Sequence, residues 1–486
     1  MKLSDSSLDR IASIFRNADL GDPRRSERAA RVAARLASNP RLSIPDAMGS
    51  EAELEGAYRL MNNKRVTMEA LHASHARETA SLASEHNVVL AISDTTPCEF
   101  AHADPEDVGY LNTGKAGFYL HYTLVVAADE LRPLGVSYME PVFRDTRPRK
   151  PKKSVAKKRS AFDLRKKENR ESERWQRGID ASDEALSGCQ VIHVADRESD
   201  IYELMSNAIK AGRRFVFRAR IPQRKGLDEE GTEGSVGDLA AASKGSLQRE
   251  VPLSSRKPRV QTTRGRKTHP PRHARLATLD FSGTPLELVR PRYLPAGEFD
   301  KTIPVHVVRV WEAAPPEGET PVEWLLYTTE PIGTPEEIAA VVDIYRARWL
   351  IEECNKALKT GCLIEHRQFE SREALLNIIA LSLPIAVEIL ALRSAARRTP
   401  DKPATHVMSP LRIELLRRLS ARPLPEHPTV AEALWALAGF GGHQKTNGEP
   451  GWLILHRAMR KLLDYEVGYI AGLRDAAERG AKGGDL

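Results

Sequence analysis

The chain has 486 residues, 41% of them hydrophobic and 29% charged, with a formal net charge of +7 and four cysteines. Such a length exceeds one hydrophobic core, and the composition fits a globular protein of two or three domains, not a disordered, collagen-like or membrane-spanning chain. Cys98, Cys189, Cys354 and Cys362 show no C-x2-C spacing, which argues against a zinc ribbon or a disulfide framework and suits a reducing compartment.

The opening residues lack the apolar core of a secretion signal, so a cytoplasmic location is expected. Asp22 can cap a helix that starts at Pro23 and runs to about Ser38. On it Arg24, Arg28, Arg31 and Arg35 share one face, with Ala29, Val32, Ala33 and Leu36 around the other side. A cationic face of this kind can lie against DNA and read guanine edges, or can be an ordinary exposed amphipathic helix. Ser50 and Glu53 have the spacing of a capping box and open a second helix through Ala57, Tyr58 and Leu60.

Two short β-branched runs follow. Val88 to Ile92 leads to Asp94, and Val191 to Ala195 leads to Asp196. Each predicts a buried strand with an Asp at its carboxyl end, where open α/β sheets place ligands. An Asp there also serves as a turn former or helix cap. Glu198 and Asp200, just beyond, suit either further ligands or ion-pair partners.

The positive charge is concentrated. Residues 147–174 carry 13 Lys or Arg against four acids, and residues 256–275 carry eight, Arg264, Arg266 and Lys267 among them, against none. Both segments read as loops suited to phosphate-backbone contacts, which set affinity and salt dependence and not sequence choice. Around the second lie the strand RRFVFRARI (213–221), a turn-rich polar stretch and the alternating strands ARLATLDF, TIPVHVVRVW and WLLYTT. Together they predict a β-rich insertion over about 222–330.

The most informative block is YRARWLIEECNKALKTG, in which Tyr345, Arg348, Glu352 and Lys359 are spaced Y-x2-R-x3-E-x6-K. Thr334, Pro335 and Glu337 open a helix there, and an unbroken helix would gather the four within a sector of about 60°. A carboxylate so placed can hold a divalent metal while the cations and the phenol grip phosphate oxygens, although i,i+4 ion pairs also explain such a face. Asp94, Asp196 and Glu352 together can bind two divalent ions and clamp the attacking and leaving oxygens of a phosphodiester. Farther on, helices are expected over Arg372–Arg398, Ser409–Ala421 and Trp452–Ala477. The most apolar stretch, Ile378 to Leu392, contains Pro384 and Glu388 and reads as a buried helix too short to span a bilayer.

DTT at Asp94, ADRESDIYELM at Asp196 and the Tyr345–Lys359 block resemble the three signature blocks of bacterial DDE transposases with the Y-R-E-K spacing, the cut-and-paste, transposon-five type. LGDPRRSER, GSEAELEGAYRLMNN, GETPVEWLLYTTEP and GEPGW extend the resemblance over nearly the whole chain. It implies an α/β fold: an RNase H-like catalytic core with a β-rich insertion, flanked by a helical N-terminal DNA-binding domain and a helical C-terminal dimerisation domain. The DNA-binding domain would be residues 1–70, the catalytic core with its insertion 71–370 and the dimerisation domain 371–486. By the same resemblance Asp94, Asp196 and Glu352 bind Mg²⁺, with Mn²⁺ as a substitute, and Tyr345, Arg348 and Lys359 hold a 5′-phosphate. Trp324 stacks on a base flipped from the DNA, and the arginines of the 23–38 helix take part in end recognition. The implied partners are double-stranded DNA, as transposon ends and target, and a second copy of the chain, in the bacterial cytoplasm at the nucleoid.

Cys354 and Asn355 depart from the bulkier residues expected beside Glu352. Two other readings stand beside the transposase. One is an RNase H-like nuclease that never joins ends, which Trp324 and the intact Y-R-E-K residues disfavour. The other is a silent DNA-binding regulator of transposition, which the three intact acids disfavour.

Overall fold

The computed structural model describes residues 7–38, 40–145, 171–253, 255, 272–369, 371–444 and 448–482. Most of both basic segments, with Arg264, Arg266 and Lys267, therefore lies outside the described residues. In chain order the elements begin with α1 (Ser7–Arg16), α2 (Pro23–Ser38), α3 (Ile44–Ala47), α4 (Glu51–Met61) and α5 (Met68–Ala83). Next come β1 (Val88–Glu99), α6 (Pro105–Val108), β2 (Gly117–Ala127), β3 (Pro133–Val142), α7 (Arg174–Ala185), β4 (Gln190–Ala195), α8 (Tyr202–Lys210) and β5 (Arg214–Arg218). The insertion supplies β6 (Lys225–Leu227), β7 (Glu233–Ser235), α9 (Val236–Ala242), β8 (Leu247–Leu253), β9 (Arg275–Val289), β10 (Thr302–Trp311) and β11 (Glu323–Thr328). Last are α10 (Pro335–Ala347), α11 (Trp349–Lys356), α12 (Arg372–Arg398), α13 (Pro410–Leu419), α14 (Val430–Phe440) and α15 (Trp452–Lys482).

These elements form two compact units. One comprises Met1–Ala156, Asp180–Gln190 and Trp349–Leu486; the other comprises Lys157–Ile179 and Val191–Arg348. The cores therefore do not follow the linear division at about residues 70 and 370. Amino- and carboxyl-terminal helices share the first unit because α12 packs on α2, α4, α5 and β3.

In the first unit β1, β2 and β3 form an antiparallel meander. Gly135 on β3 lets α5 approach closely, since a Cβ there would meet Thr79 Oγ1 at 1.9 Å. The buried Asn377 of α12 donates to the carbonyls of Met61 (3.1 Å) and Val66 (2.9 Å), tying the last helices to the first ones. By length and composition alone α12 could cross a membrane, but 89% of its most apolar window is buried within the protein. Beneath it the buried Arg412 pairs with Glu466 (3.0 Å) and Glu388 (3.1 Å). Removing one member of such a buried network typically costs about 3–5 kcal/mol. The helix α14, capped by a Thr429–Glu432 box, adds to the expected carboxyl-terminal helices.

In the second unit the strand order is β4-β5-β11-β10-β9-β6-β7, with β8 also paired to β9. Among the described residues β4 and β5 pair in parallel and the other strand pairs of this unit are antiparallel, as short hairpin connections allow. Its core is built on Tyr202, Phe215, Phe217, Tyr327 and the aliphatic residues of β9 and β10.

Candidate active site

The first unit carries Asp94, Glu352 and Lys359. Asp94 does not end its strand: β1 continues to Glu99, because Thr95 to Glu99 keep pairing with His121 to Gly117 of β2. Asp94 stands opposite Tyr122 in that register, so both side chains leave the same face of the sheet. The helix bearing Glu352 lies over this face. Asn355, one turn beyond Glu352, places Nδ2 3.4 Å from Asp94 Oδ2, while its Oδ1 accepts from the Tyr122 hydroxyl at 2.9 Å. Tyr122 also reaches the Ile351 carbonyl at 3.3 Å. Burial, with Cys354 and Asp94 adding to it, raises the Tyr122 pKa well above its ordinary value and keeps the phenol a donor.

Glu353 faces away from this site and is fixed by Arg397 at 2.9 Å. Lys359 meets the Pro97 carbonyl and lies 3.4 Å from Glu365. Cys354 is buried, and burial pushes its thiol up to about 12, so it is an inert packing group.

The unbroken helix expected across the Y-R-E-K block is corrected. The capping box of Thr334 and Glu337 is present, but α10 ends at Ala347, with Arg348 as its cap. There the Arg348 N–H closes a tight turn onto Tyr345 O at 3.0 Å. After α11, residues Ala357–Gly361 form a π turn, with the Cys362 N–H bonded to Ala357 O at 3.0 Å. The wider turn shifts Lys359 from the angular phase that 3.6 residues per turn would give. Tyr345 and Arg348 belong to the second compact unit, and Glu352 and Lys359 to the first.

The second unit gathers Asp196, Trp324, Tyr345 and Arg348. Asp196 follows β4, and its Oδ1 caps the next turn by accepting the Glu198 N–H at 2.8 Å. On β5, Arg218 pairs with Leu326 of β11, two residues from Trp324, and its guanidinium lies 5.9 Å from the indole centroid. Trp324 is half-buried and meets Tyr345 edge-on at 5.8 Å; Arg348 stands 5.9 Å from the Tyr345 ring. Partial burial and the nearby Arg218 charge lower the Arg197 pKa, opposed by Tyr345 and Asp196. The result is a carboxylate, three guanidinium groups and two rings on the ends of β4, β5, β11 and α10. Such a set can take a phosphate and a planar base. Glu198 and Asp200 serve as ion-pair partners, Glu198 of Arg174 (2.6 Å) and Asp200 of Arg224 (2.6 Å).

Arg24, Arg28, Arg31 and Arg35 of α2 line a groove of about 540 Å³ against α4. Arg24 and Arg28 are exposed and have no ion pair among the described residues, and Arg28 lies over Gly56. Arg31 pairs with Glu27 (3.4 Å) and Arg35 with Glu53 (3.1 Å). Ser50 caps α4, but the Glu53 carboxylate turns to the Gly49 N–H (2.7 Å) and to Arg35, so the expected capping box is only half formed.

Asn355, Tyr122, Arg197 and Arg218 went unassigned in the sequence, as did Trp349, which is 51% exposed with Lys356 Nζ 5.1 Å from its ring. Trp349 could have been found from its position directly after Arg348. Arg218 becomes visible only once β5 and β11 are paired.

For a metal, the donor chemistry of Asp94 and Glu352 is suitable. Mg²⁺ is commonly held by one or two carboxylates and keeps several waters. Among the described residues no group of three or more His, Cys, Asp or Glu side chains is placed to hold a metal ion.

Residues 10–66 match a family model described as transposase DNA-binding. The match covers α2, α3, α4 and most of α1, so this helical region resembles a transposase DNA-binding domain. The chain is also similar to piggyBac transposase, solved by cryo-EM as a synaptic complex with hairpin DNA. The identity is 11%, the TM-score is 0.29, and the alignment covers 64% of this chain and 48% of that one. The chain thus spans about half the length of that protein, and so loose a likeness places no residue.

Proposed function

We propose that this protein is a DNA transposase of the DDE type. It binds transposon ends, cleaves them by metal-dependent displacement at phosphorus and joins the 3′ ends to target DNA. The observation that carries this reading is the match of residues 10–66 to a transposase DNA-binding domain. An RNase H-like core is compatible with the β1–β3 meander and the parallel β4–β5 pair, with β6–β11 inserted before the Glu352 helix.

In this reading Asp94, Glu352 and Asp196 hold Mg²⁺, or Mn²⁺ in its place. Bound there, the cation would lower the cost of the charge that develops on phosphate oxygens. The protein's own groups do the positioning. Arg348 and Tyr345, with Lys359, bind a 5′-phosphate; Trp324 offers its face to an unstacked base, worth about 1–3 kcal/mol. Arg24, Arg28, Arg31 and Arg35 contact the end DNA. Arg264, Arg266 and Lys267 add backbone contacts. A homodimer is proposed through the carboxyl-terminal helices, where Leu453, Tyr465 and Leu473 of α15 are exposed.

The test uses end-labelled DNA carrying the inverted repeats that flank the gene, with wild-type or Asp94→Ala protein, with and without Mg²⁺. Excision that needs both Mg²⁺ and Asp94 supports the transposase, and a hairpin product supports the role of Trp324. Binding without cleavage by the wild type would overturn the catalytic reading in favour of a DNA-binding regulator. Cleavage without joined products would favour the nuclease.

A further inference from the structure

The side chains beneath Glu352 suggest a role for a residue that departs from the expected block. Asp94 and Tyr122 are direct partners across β1 and β2, and Asn355 bridges them from α11. The chemistry fixes which way the amide points. An ionised carboxylate only accepts hydrogen bonds, so the amide must turn its NH₂ to Asp94 and its oxygen to the Tyr122 hydroxyl. Reversed, two acceptors would face each other, with the phenol proton left to the more distant Ile351 carbonyl at 3.3 Å. Tyr122 is fully buried, and the Ile351 carbonyl on the same helix gives it a second acceptor. It therefore indexes α11 against β2 as well as orienting the amide.

We infer that Asn355 is a positioning residue for Asp94: held by Tyr122, its amide engages Asp94 Oδ2 and sets the orientation in which the carboxylate meets a divalent cation. The inference rests on the proposed role of Asp94 as a metal ligand. Asn355 stands three residues from Glu352, on the adjacent turn of one helical face, so the same bridge sets the height of Glu352 over β1. Outer-sphere groups that orient a ligand commonly change metal affinity by about 10–100-fold.

The experiment measures Mn²⁺ binding to the full-length protein from the paramagnetic resonance signal of free Mn²⁺. It compares wild type with Asp94→Ala, Asn355→Leu, Tyr122→Phe and the double variant Asn355→Leu/Tyr122→Phe. Asn355→Leu keeps nearly the same volume and should weaken Mn²⁺ binding about tenfold. Tyr122→Phe should weaken it less and add nothing in the Asn355→Leu background, because the hydroxyl acts through the amide. Weakened binding in Asp94→Ala with wild-type affinity in Asn355→Leu would overturn the positioning role and leave the Asp94 reading standing. Unchanged binding in Asp94→Ala would overturn both. Circular dichroism monitors folding; if Asn355→Leu does not fold, Tyr122→Phe carries the test, and wild-type affinity there overturns the inference.

Discussion

The two compact units set different groups around their candidate carboxylates. In the first, Asp94 is supported by neutral dipoles, the Asn355 amide and through it the Tyr122 hydroxyl, while Lys359 is engaged by the Pro97 carbonyl and Glu365. In the second, Asp196 adjoins Arg197, which feels the charges of Arg218 and Tyr345, while Arg218 and Arg348 stand by the rings of Trp324 and Tyr345. Guanidinium groups and aromatic rings gathered in this way suit a phosphate and a planar base, whereas an amide and a phenol suit the orientation of a carboxylate. Asp94 and Asp196, each preceded in sequence by a β-branched run, thus lie in chemically distinct settings.

That contrast can be broken most severely at Glu352. Glu352→Gln should reduce Mg²⁺-dependent cleavage by about three orders of magnitude while sparing DNA binding, a loss of several kcal/mol of charge stabilisation; single-turnover cleavage and gel-shift assays read the two separately. In the second unit, Trp324→Ala should slow hairpin formation by about tenfold with little effect on the first nick, in line with the loss of one stacking contact. Equal loss in both steps would return Trp324 to a packing role. Among the α2 arginines, Arg28→Ala should weaken end binding a few-fold and reduce the salt slope by about one. Arg35→Ala should lower the thermal midpoint slightly as well, since it also removes the Arg35–Glu53 pair and leaves Glu53 with the Gly49 N–H.

The smallest expected effect lies in the support beneath the meander. Burial lowers the pKa of His72 to about 4 and that of His75 well below its ordinary value, with the charges of His72 and Arg10 acting further on His75. Both rings are therefore neutral when folded, whereas the unfolded chain takes up protons below about pH 6.5. Stability contributed by this pair is full above pH 6.5 and falls as the pH drops towards 4. His72→Phe should reduce that dependence by about one proton in urea unfolding between pH 4 and 7; an unchanged slope would show that His72 is protonated or exposed when folded.

What the sequence by itself determined was local. The limits of α2 and α12, the capping box at Thr334 and the position of Asp196 just past β4 follow from caps, periodicity and β-branched runs, all of which act within a few residues. What only the tertiary structure decided depends on partners far along the chain. Pairing with β2 carries β1 past Asp94 to Glu99. The tight turn at Arg348 and the π turn before Cys362 break a helix whose sequence contains neither Gly nor Pro between Pro335 and Thr360. Strand register brings Arg218 beside Trp324, and Tyr122 finds Asn355 across 233 residues. Local hydrogen bonds and periodicity are written in neighbouring residues, but the partner of a buried phenol or an exposed guanidinium is chosen by register and packing, which no short segment contains.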